Sequence, residues 1–222
     1  SGDIDLLICR EDVDAVKQLL LDSGFVQGRI TETGISPFSR KELLFQTAMS
    51  HQTAPFLTQT ENPFCPYVNV DVNLDIFWGE HNQKMDMQFV LGHTKRVEIC
   101  GVDIKKLIPE MEFISLCLHH YKDANSIYLL WGGGLRLSLF CDVYFYLKGN
   151  PLNLQTLKAF CQRLQAGDYV YYCIYYANLI FDDAGLLSPY LEVLESDSAR
   201  SILNTLGLAE NEIRPWNTPF LG

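Results

Sequence analysis

No apolar run in this chain reaches the roughly 20 residues that a membrane-spanning helix needs. The closest, Ile174 to Phe181, is short and carries Tyr and Asn. A basic start followed by an apolar middle, the pattern of a secretory leader, is also missing. Neither a membrane partner nor export is expected. No two cysteines are spaced C-x-x-C, and the seven present (Cys9, Cys65, Cys100, Cys117, Cys141, Cys161 and Cys173) are odd in number, most of them among apolar neighbours. That usage points to buried free thiols in a reducing cytoplasm rather than a disulfide framework or a zinc site. Positive charge is scarce: 17 Lys and Arg stand against 27 Asp and Glu, a net charge of −10. An acidic chain repels phosphate backbones, so nucleic acid is not expected as a partner. A small basic pocket or a metal-bridged nucleotide stays open. Internal repeats, low-complexity tracts and obvious linkers are absent as well.

What is present is ordinary for a folded protein. The 222 residues are 48% hydrophobic and 20% charged, and thirteen Phe, eleven Tyr and three Trp predict an aromatic interior. The first residue is Ser1 rather than Met and a strand-like run begins at once, so an upstream segment is expected.

Asp3 to Cys9 predicts a short strand with two acids at its start. Val13, Val16, Leu19 and Leu20 recur at helical spacing until Gly24. Val26 to Ile35 predicts a hairpin or loop, Phe38 to Ser50 a helix, and Thr58 to Pro66 a loop. In Tyr67 to Trp78, Val68, Val70, Val72, Leu74 and Ile76 alternate with Asn69, Asp71, Asn73 and Asp75. That period of two predicts a half-buried strand. Met85 to Leu91 and Arg96 to Val102 predict two further strands with a turn around Gly92. Beyond Asp103 the pattern turns helical, from Pro109 to Lys122 and again over 135–147, 154–164, 169–181 (with Asp168 as cap) and 198–206.

Asp3 and Asp5 lie two apart on a strand, so their carboxylates share one face, roughly 6–7 Å apart at the backbone. Carboxylates so close repel unless a cation sits between them. Hard oxygen ligands at that spacing suit Mg²⁺ or Mn²⁺, and Mg²⁺ completes its shell with substrate phosphates. Asp71 and Asp75 offer a second polar strand face. If the two strands are neighbours, three carboxylates converge into a two-metal site for phosphoryl transfer. The competing reading is plain: D-x-D is common, and acids at strand ends are usually solvated.

The segment G-D-I-D-L-L-I at Gly2–Ile8, then a helix ending L-L-x-x-G-F at Leu20–Phe25, resembles the DNA polymerase beta-like nucleotidyltransferase superfamily. Three further segments sharpen the likeness: V-D-V-N-L-D-I-F-W at Val70–Trp78, P-E-M-E-F-I-S-L-C-L-H-H-Y-K at Pro109–Lys122, and L-R-L-S-L-F-C-D-V-Y-F-Y-L-K at Leu135–Lys148. Together they look like a bacterial nucleotidyltransferase family often described only as uncharacterised.

The resemblance implies an α+β fold: a mixed sheet with flanking helices over 1–102, then a helical C-terminal domain over 103–222, with the active site in the cleft between them. It implies transfer of a nucleoside monophosphate from a nucleoside triphosphate to a hydroxyl on a small molecule or a protein, with pyrophosphate released. Asp3, Asp5 and Asp71 would be the metal-binding and catalytic residues, with Asp75 competing for the third role. Ser1, Gly2, Asn73 and Asp75 would line the nucleotide. Two departures stand out. The superfamily holds the triphosphate with a Gly-Ser on an upstream helix, and only Ser1 and Gly2 precede the motif here. The nearer family usually carries His where Asn73 stands, and an amide does not titrate. Rival readings are a non-catalytic binding module on the same fold, of the antitoxin or scaffold kind, and a metal-dependent phosphohydrolase.

Other residues carry less. His119 and His120 are adjacent on a helix and point about 100° apart, which suits a core histidine better than a shared metal. Arg136 and Asp142 are expected to pair. His51, His81 and His93 have no ligand spacing. Gly132–Gly134 lacks the following Lys-Ser/Thr of a phosphate loop. The cluster Tyr169, Tyr171, Tyr172, Tyr175 and Tyr176 reads as core. Lys41, Lys95 and Arg96 read as solvated.

Overall fold

The computed structural model describes residues 3–49, 52–77, 84–126, 136–208 and 211–217. They form an α+β chain that divides into two compact units near Gly92. Ser1, Gly2, His51, His81 and Gly132–Gly134 lie outside the described residues.

In the first unit, β1 (Asp3–Leu7) leads through a single 3-10 turn into α1 (Val13–Asp22). Gly24, at φ +85°, closes α1: Phe25 N–H donates to Leu20 O and Gly24 N–H to Leu21 O, both at 3.0 Å. This left-handed cap turns Phe25 onto the apolar face beside Leu20. A hairpin of β2 (Val26–Thr31) and β3 (Gly34–Pro37) follows, then α2 (Arg40–Met49). α2 starts on a capping box: Ser39 N–H donates to Glu42 Oε2 at 2.8 Å, and Glu42 N–H donates to Ser39 Oγ at 3.4 Å. β4 (Phe56–Gln59) and β5 (Tyr67–Asn73) complete a five-stranded mixed sheet of order β1-β5-β4-β2-β3, in which only β1 and β5 pair parallel. One face of the sheet is packed: Leu6, Ile8, Val68, Val70, Val72 and Phe56 meet Val13, Val16 and Leu20 of α1.

α3 (Met87–Gly92) replaces the strand expected over 85–91. Val90 is fully buried there, and a short apolar run does not reveal its period. The two strands that follow are β6 (Thr94–Ile99) and β7 (Val102–Leu107), joined by a two-residue turn at Cys100 (φ 53°) and Gly101 (φ 80°). The turn thus sits at residues 100–101, not around Gly92. Both residues have the positive φ that matches the twist of a hairpin.

The second unit takes this hairpin and the helices after it. These are α4 (Pro109–Asn125), α5 (Leu137–Gly149), α6 (Leu154–Leu164), α7 (Gly167–Phe181), α8 (Ala184–Leu194) and α9 (Asp197–Ser201), followed by a short pair, β8 (Thr205–Leu206) and β9 (Arg214–Pro215). Pro109 opens α4, where its missing N–H costs nothing. Met111, Phe113, Ile114, Cys117 and Leu118 of α4 and Val170, Tyr172, Cys173 and Ile174 of α7 fill the core. The tyrosines of α7 are packing groups: Tyr172 lies 5.0 Å from Tyr121 and 4.7 Å from Tyr176, centroid to centroid. Asp168 does not cap α7 as expected. Its Oδ1 accepts from the hydroxyls of Ser196 and Ser198 at 3.2 and 3.0 Å, tying α7 to the start of α9. α8, which the sequence pattern left unassigned, forms despite Pro189 inside it, with Asp183 accepting from Leu186 N–H at its start.

All seven cysteines are free. Cys117, Cys161 and Cys173 are buried, whereas Cys100 is exposed at the hairpin tip. No described helix is long and apolar enough to cross a membrane.

Candidate active site

The sheet face opposite α1 holds the acids. The parallel register sets Asp3 beside Asn69, Asp5 beside Asp71 and Leu7 beside Asn73. Alternation then sends Leu6, Val70 and Val72 into the core and Asp3, Asp5, Asn69, Asp71 and Asn73 to the other side. The strands at 3–7 and 67–73 are therefore neighbours, and residues nearly seventy positions apart meet.

Asn73 donates from Nδ2 to Asp5 Oδ1 at 3.1 Å, so this amide orients a carboxylate. Asp71 is partly buried. Burial raises its carboxyl above the ordinary value, and the negative charges of Asp5 and then Asp3 push it the same way. A hydrogen bond from Asn69 opposes them. Asn69 keeps its own Oδ1 buried without a hydrogen-bond partner. Asn69 was not expected as a site residue, although its place in the alternation (opposite Asp3) could have marked it.

Asp75 does not join this face. β5 ends at Asn73, short of the Trp78 that the alternation suggested, because the Asp75 carboxylate takes over the backbone. It accepts from Phe77 N–H at 2.9 Å and Met85 N–H at 3.3 Å, closing the turn after the strand. Burial raises its carboxyl, while these backbone donors, Ile76 N–H and the Arg10 charge pull it down. Of the two candidates for the third carboxylate, Asp71 shares the face of Asp3 and Asp5 and Asp75 does not.

The donor set is hard oxygen, as Mg²⁺ or Mn²⁺ requires. Among the described residues no group of three or more carboxylate, imidazole or thiol side chains is arranged to hold a metal ion, Asp3, Asp5 and Asp71 included. The destabilised ionisation of Asp71 and the orphaned Asn69 oxygen are the features a cation would relieve.

A cavity of about 270 Å³ lies just past the ends of β1 and β5, lined by Cys9, Arg10, Leu74, Asp75, Lys84 and Met85 among others. Arg10 and Lys84 are the cations nearest in sequence to the acid strands, and neither was expected at the site. A larger cavity, about 390 Å³, is formed by Arg29, Phe38, Lys41, Glu42, Phe45 and Gln46. It belongs to β2 and α2, at the other side of the sheet order, and contains none of the clustered aspartates.

The remaining candidates separate. His119, expected in the core, is half exposed on α4 and lies 3.5 Å from Asp123, while His120 is the buried one. Burial depresses the His120 imidazole, and Asp142 Oδ2 stands 3.3 Å from its Nε2. Asp142 thus faces His120 rather than Arg136, which makes no ion pair among the described residues. A pairing inside one helix loses to a cross-helix contact because Arg136 sits at the exposed N-cap of α5. His93 packs edge-on against Phe160 at 4.4 Å.

A family model for uncharacterised nucleotidyltransferases matches residues 1–182. That span includes the acid face and most of the helical unit, and the chain belongs to this family. The mixed α+β architecture agrees with it, and nucleotidyl transfer is the general class of activity the family supports. Comparison with curated proteins and with solved structures found no match.

Proposed function

We propose that the protein is a Mg²⁺-dependent nucleotidyltransferase that moves a nucleoside monophosphate from a nucleoside triphosphate to a hydroxyl on a small molecule or a protein. The observation that carries this reading is the parallel register of β1 and β5, which sets Asp5 beside Asp71 and Asp3 one step away on the same face.

Asp3, Asp5 and Asp71 would hold the divalent ion, Mg²⁺ or Mn²⁺, which when bound supplies charge neutralisation for the triphosphate and a polarised acceptor hydroxyl. Asp71 is the proton acceptor. Burial and the neighbouring negative charges raise its carboxyl above the ordinary value, which favours taking up the hydroxyl proton. The acceptor oxygen bonds to the α-phosphorus, the bond from that phosphorus to the β-bridging oxygen breaks, and pyrophosphate leaves. Asn73 fixes the rotamer of Asp5 through its 3.1 Å bond, and Asn69 does the same for Asp71. Arg10 and Lys84 offer positive charge to the phosphates from the adjoining cavity. The acidic balance of the chain argues for an acceptor other than nucleic acid.

The test is pyrophosphate release from the four nucleoside triphosphates with Mg²⁺, alongside calorimetric titration of each nucleotide, since turnover needs the acceptor. Binding that requires Mg²⁺ and is lost in Asp3→Ala and Asp71→Ala supports the reading. Nucleotide binding indifferent to Mg²⁺ and to both substitutions overturns it. Phosphate release without an acceptor would favour the hydrolase.

A further inference from the structure

The β6–β7 hairpin is built against its own charges. Its register opposes Lys95 to Lys106, Arg96 to Lys105 and Glu98 to Asp103. Like charges directly across a strand pair destabilise it, and a two-stranded hairpin is marginal by itself. Lys106 is relieved by Glu112 at 2.9 Å, but Lys95, Arg96 and Lys105 make no ion pair among the described residues. The whole of Val102–Lys106 is exposed, with Val102 at 60% and Ile104 at 39%. Apolar side chains on an open strand edge mark a place where another strand can add.

Along each strand, however, the charges alternate in sign around an aliphatic residue: Arg96-Val97-Glu98 on β6 and Asp103-Ile104-Lys105 on β7. A strand of this kind matches an antiparallel copy of itself. We propose that the outer edge of β7 pairs with β7 of a second copy of this chain, about a two-fold axis at Ile104, to form a continuous four-stranded sheet.

The backbone allows that register. Ile99 and Val102 flank the two-residue turn and exchange both of their backbone bonds, so alternation leaves N–H and C=O of Asp103 and Lys105 on the outer edge. Centring on Ile104 sets Asp103 opposite Lys105 of the other copy, and Lys105 opposite its Asp103, as hydrogen-bonded pairs. Ile104 meets Ile104 at the axis, and Val97 extends the apolar row on both sides. The Arg96–Lys105 and Glu98–Asp103 pairs inside each hairpin then have an opposite charge across the new seam. The interface is isologous, as a two-fold requires. β7 is preferred over β6 because Thr94 and Val97 of β6 are half-buried. The hairpin carries four cations against two acids in a chain of net charge −10, so it is also where two copies repel least.

Sedimentation velocity of the full chain from 1 to 200 µM tests this. The wild type is expected to shift from monomer towards dimer with concentration. Asp103→Lys weakens association by about tenfold or more, although it gives Glu98 an opposite charge within the hairpin and so cannot act by unfolding it. The swap D103K/K105D restores the dimer. Glu98→Lys, the same charge change on the same face but off the seam, leaves it intact. Ile104→Cys in a Cys100→Ser background forms a covalent dimer under mild oxidation, and Cys100→Ser alone does not. A monomer throughout the range, with or without affinity for polyanions, overturns the proposal. So does a dimer that ignores Asp103→Lys, or one that Glu98→Lys disrupts equally.

Discussion

The sheet unit and the helical unit differ in where their polar groups lie. In the helical unit many are inside: Tyr146 donates to Glu112 at 2.9 Å, Tyr144 to Asp183 at 3.0 Å and Tyr176 to Leu203 O, while the Ser126 hydroxyl and Asn178 Oδ1 are buried with no hydrogen-bond partner among the described residues. Burial there pushes the Tyr176 phenol up to about 12. Most of the largest fully buried side chains, among them Tyr172, Phe113, Met111, Ile114, Leu118, Leu147, Leu157 and Leu187, belong to this unit. The sheet unit is thinner: α1 has no fully buried residue, and three carboxylates and two amides share one face of β1 and β5. Large buried apolar side chains are concentrated in one unit and a cluster of like charges in the other.

Four measurements would break or sharpen this contrast. The largest effect is on chemistry. Asp71→Asn removes the proposed proton acceptor, and the rate of Mg²⁺-dependent pyrophosphate release with a competent acceptor should fall roughly a thousandfold. Retention of the wild-type rate would move catalysis off this face. Second, Leu157→Ala in the helical core should cost about 3 kcal/mol, lowering the melting midpoint by roughly 6–12 °C in calorimetry. Nucleotide binding by the folded fraction should be unchanged; its loss would mean that the two units are not separable in role.

Third, Asp75→Ala orphans backbone N–H groups after β5 and should cost about 2 kcal/mol by chemical denaturation. Asp75→Asn, which keeps an accepting oxygen, should recover part of that. The smallest effect runs the other way. Asp71 ionises less readily folded than unfolded, so its ionisation opposes folding. The penalty is absent below the unfolded carboxyl range, sets in as pH rises through it, and is complete above the raised folded value. Asp71→Asn should therefore melt roughly 2 °C above wild type at neutral pH and level with it near about pH 3. A variant less stable at neutral pH would mean that Asp71 serves the fold.

The alternation over Val68–Val72 was legible because a half-buried strand has to alternate. The helices at 109–122 and 154–164 were legible because their apolar positions recur every three to four residues. The 87–92 run was not, since six apolar-rich residues carry too little period to distinguish a helix from a strand. Asp75 looked equivalent to Asp71 because alternation continues past the point where the strand stops. What ended it was a carboxylate capturing N–H groups, one of them ten residues away at Met85. His119 and His120 exchanged roles for a related reason: adjacent helical positions point apart, and only the packing of α4 against its neighbours selects the buried one.

The order of residues alone determined which side chains could lie together on one strand face, since that follows from the two-residue repeat of an extended backbone. It also pointed to the general class of chemistry, because the segments around those acids resemble a nucleotidyltransferase family, and that family's model matches residues 1–182. Which of the two later aspartates shares the face of Asp3 and Asp5 was decided only by the fold. Strand neighbours are chosen by hydrogen bonding and core packing across nearly seventy residues, and no local pattern encodes where a strand will end.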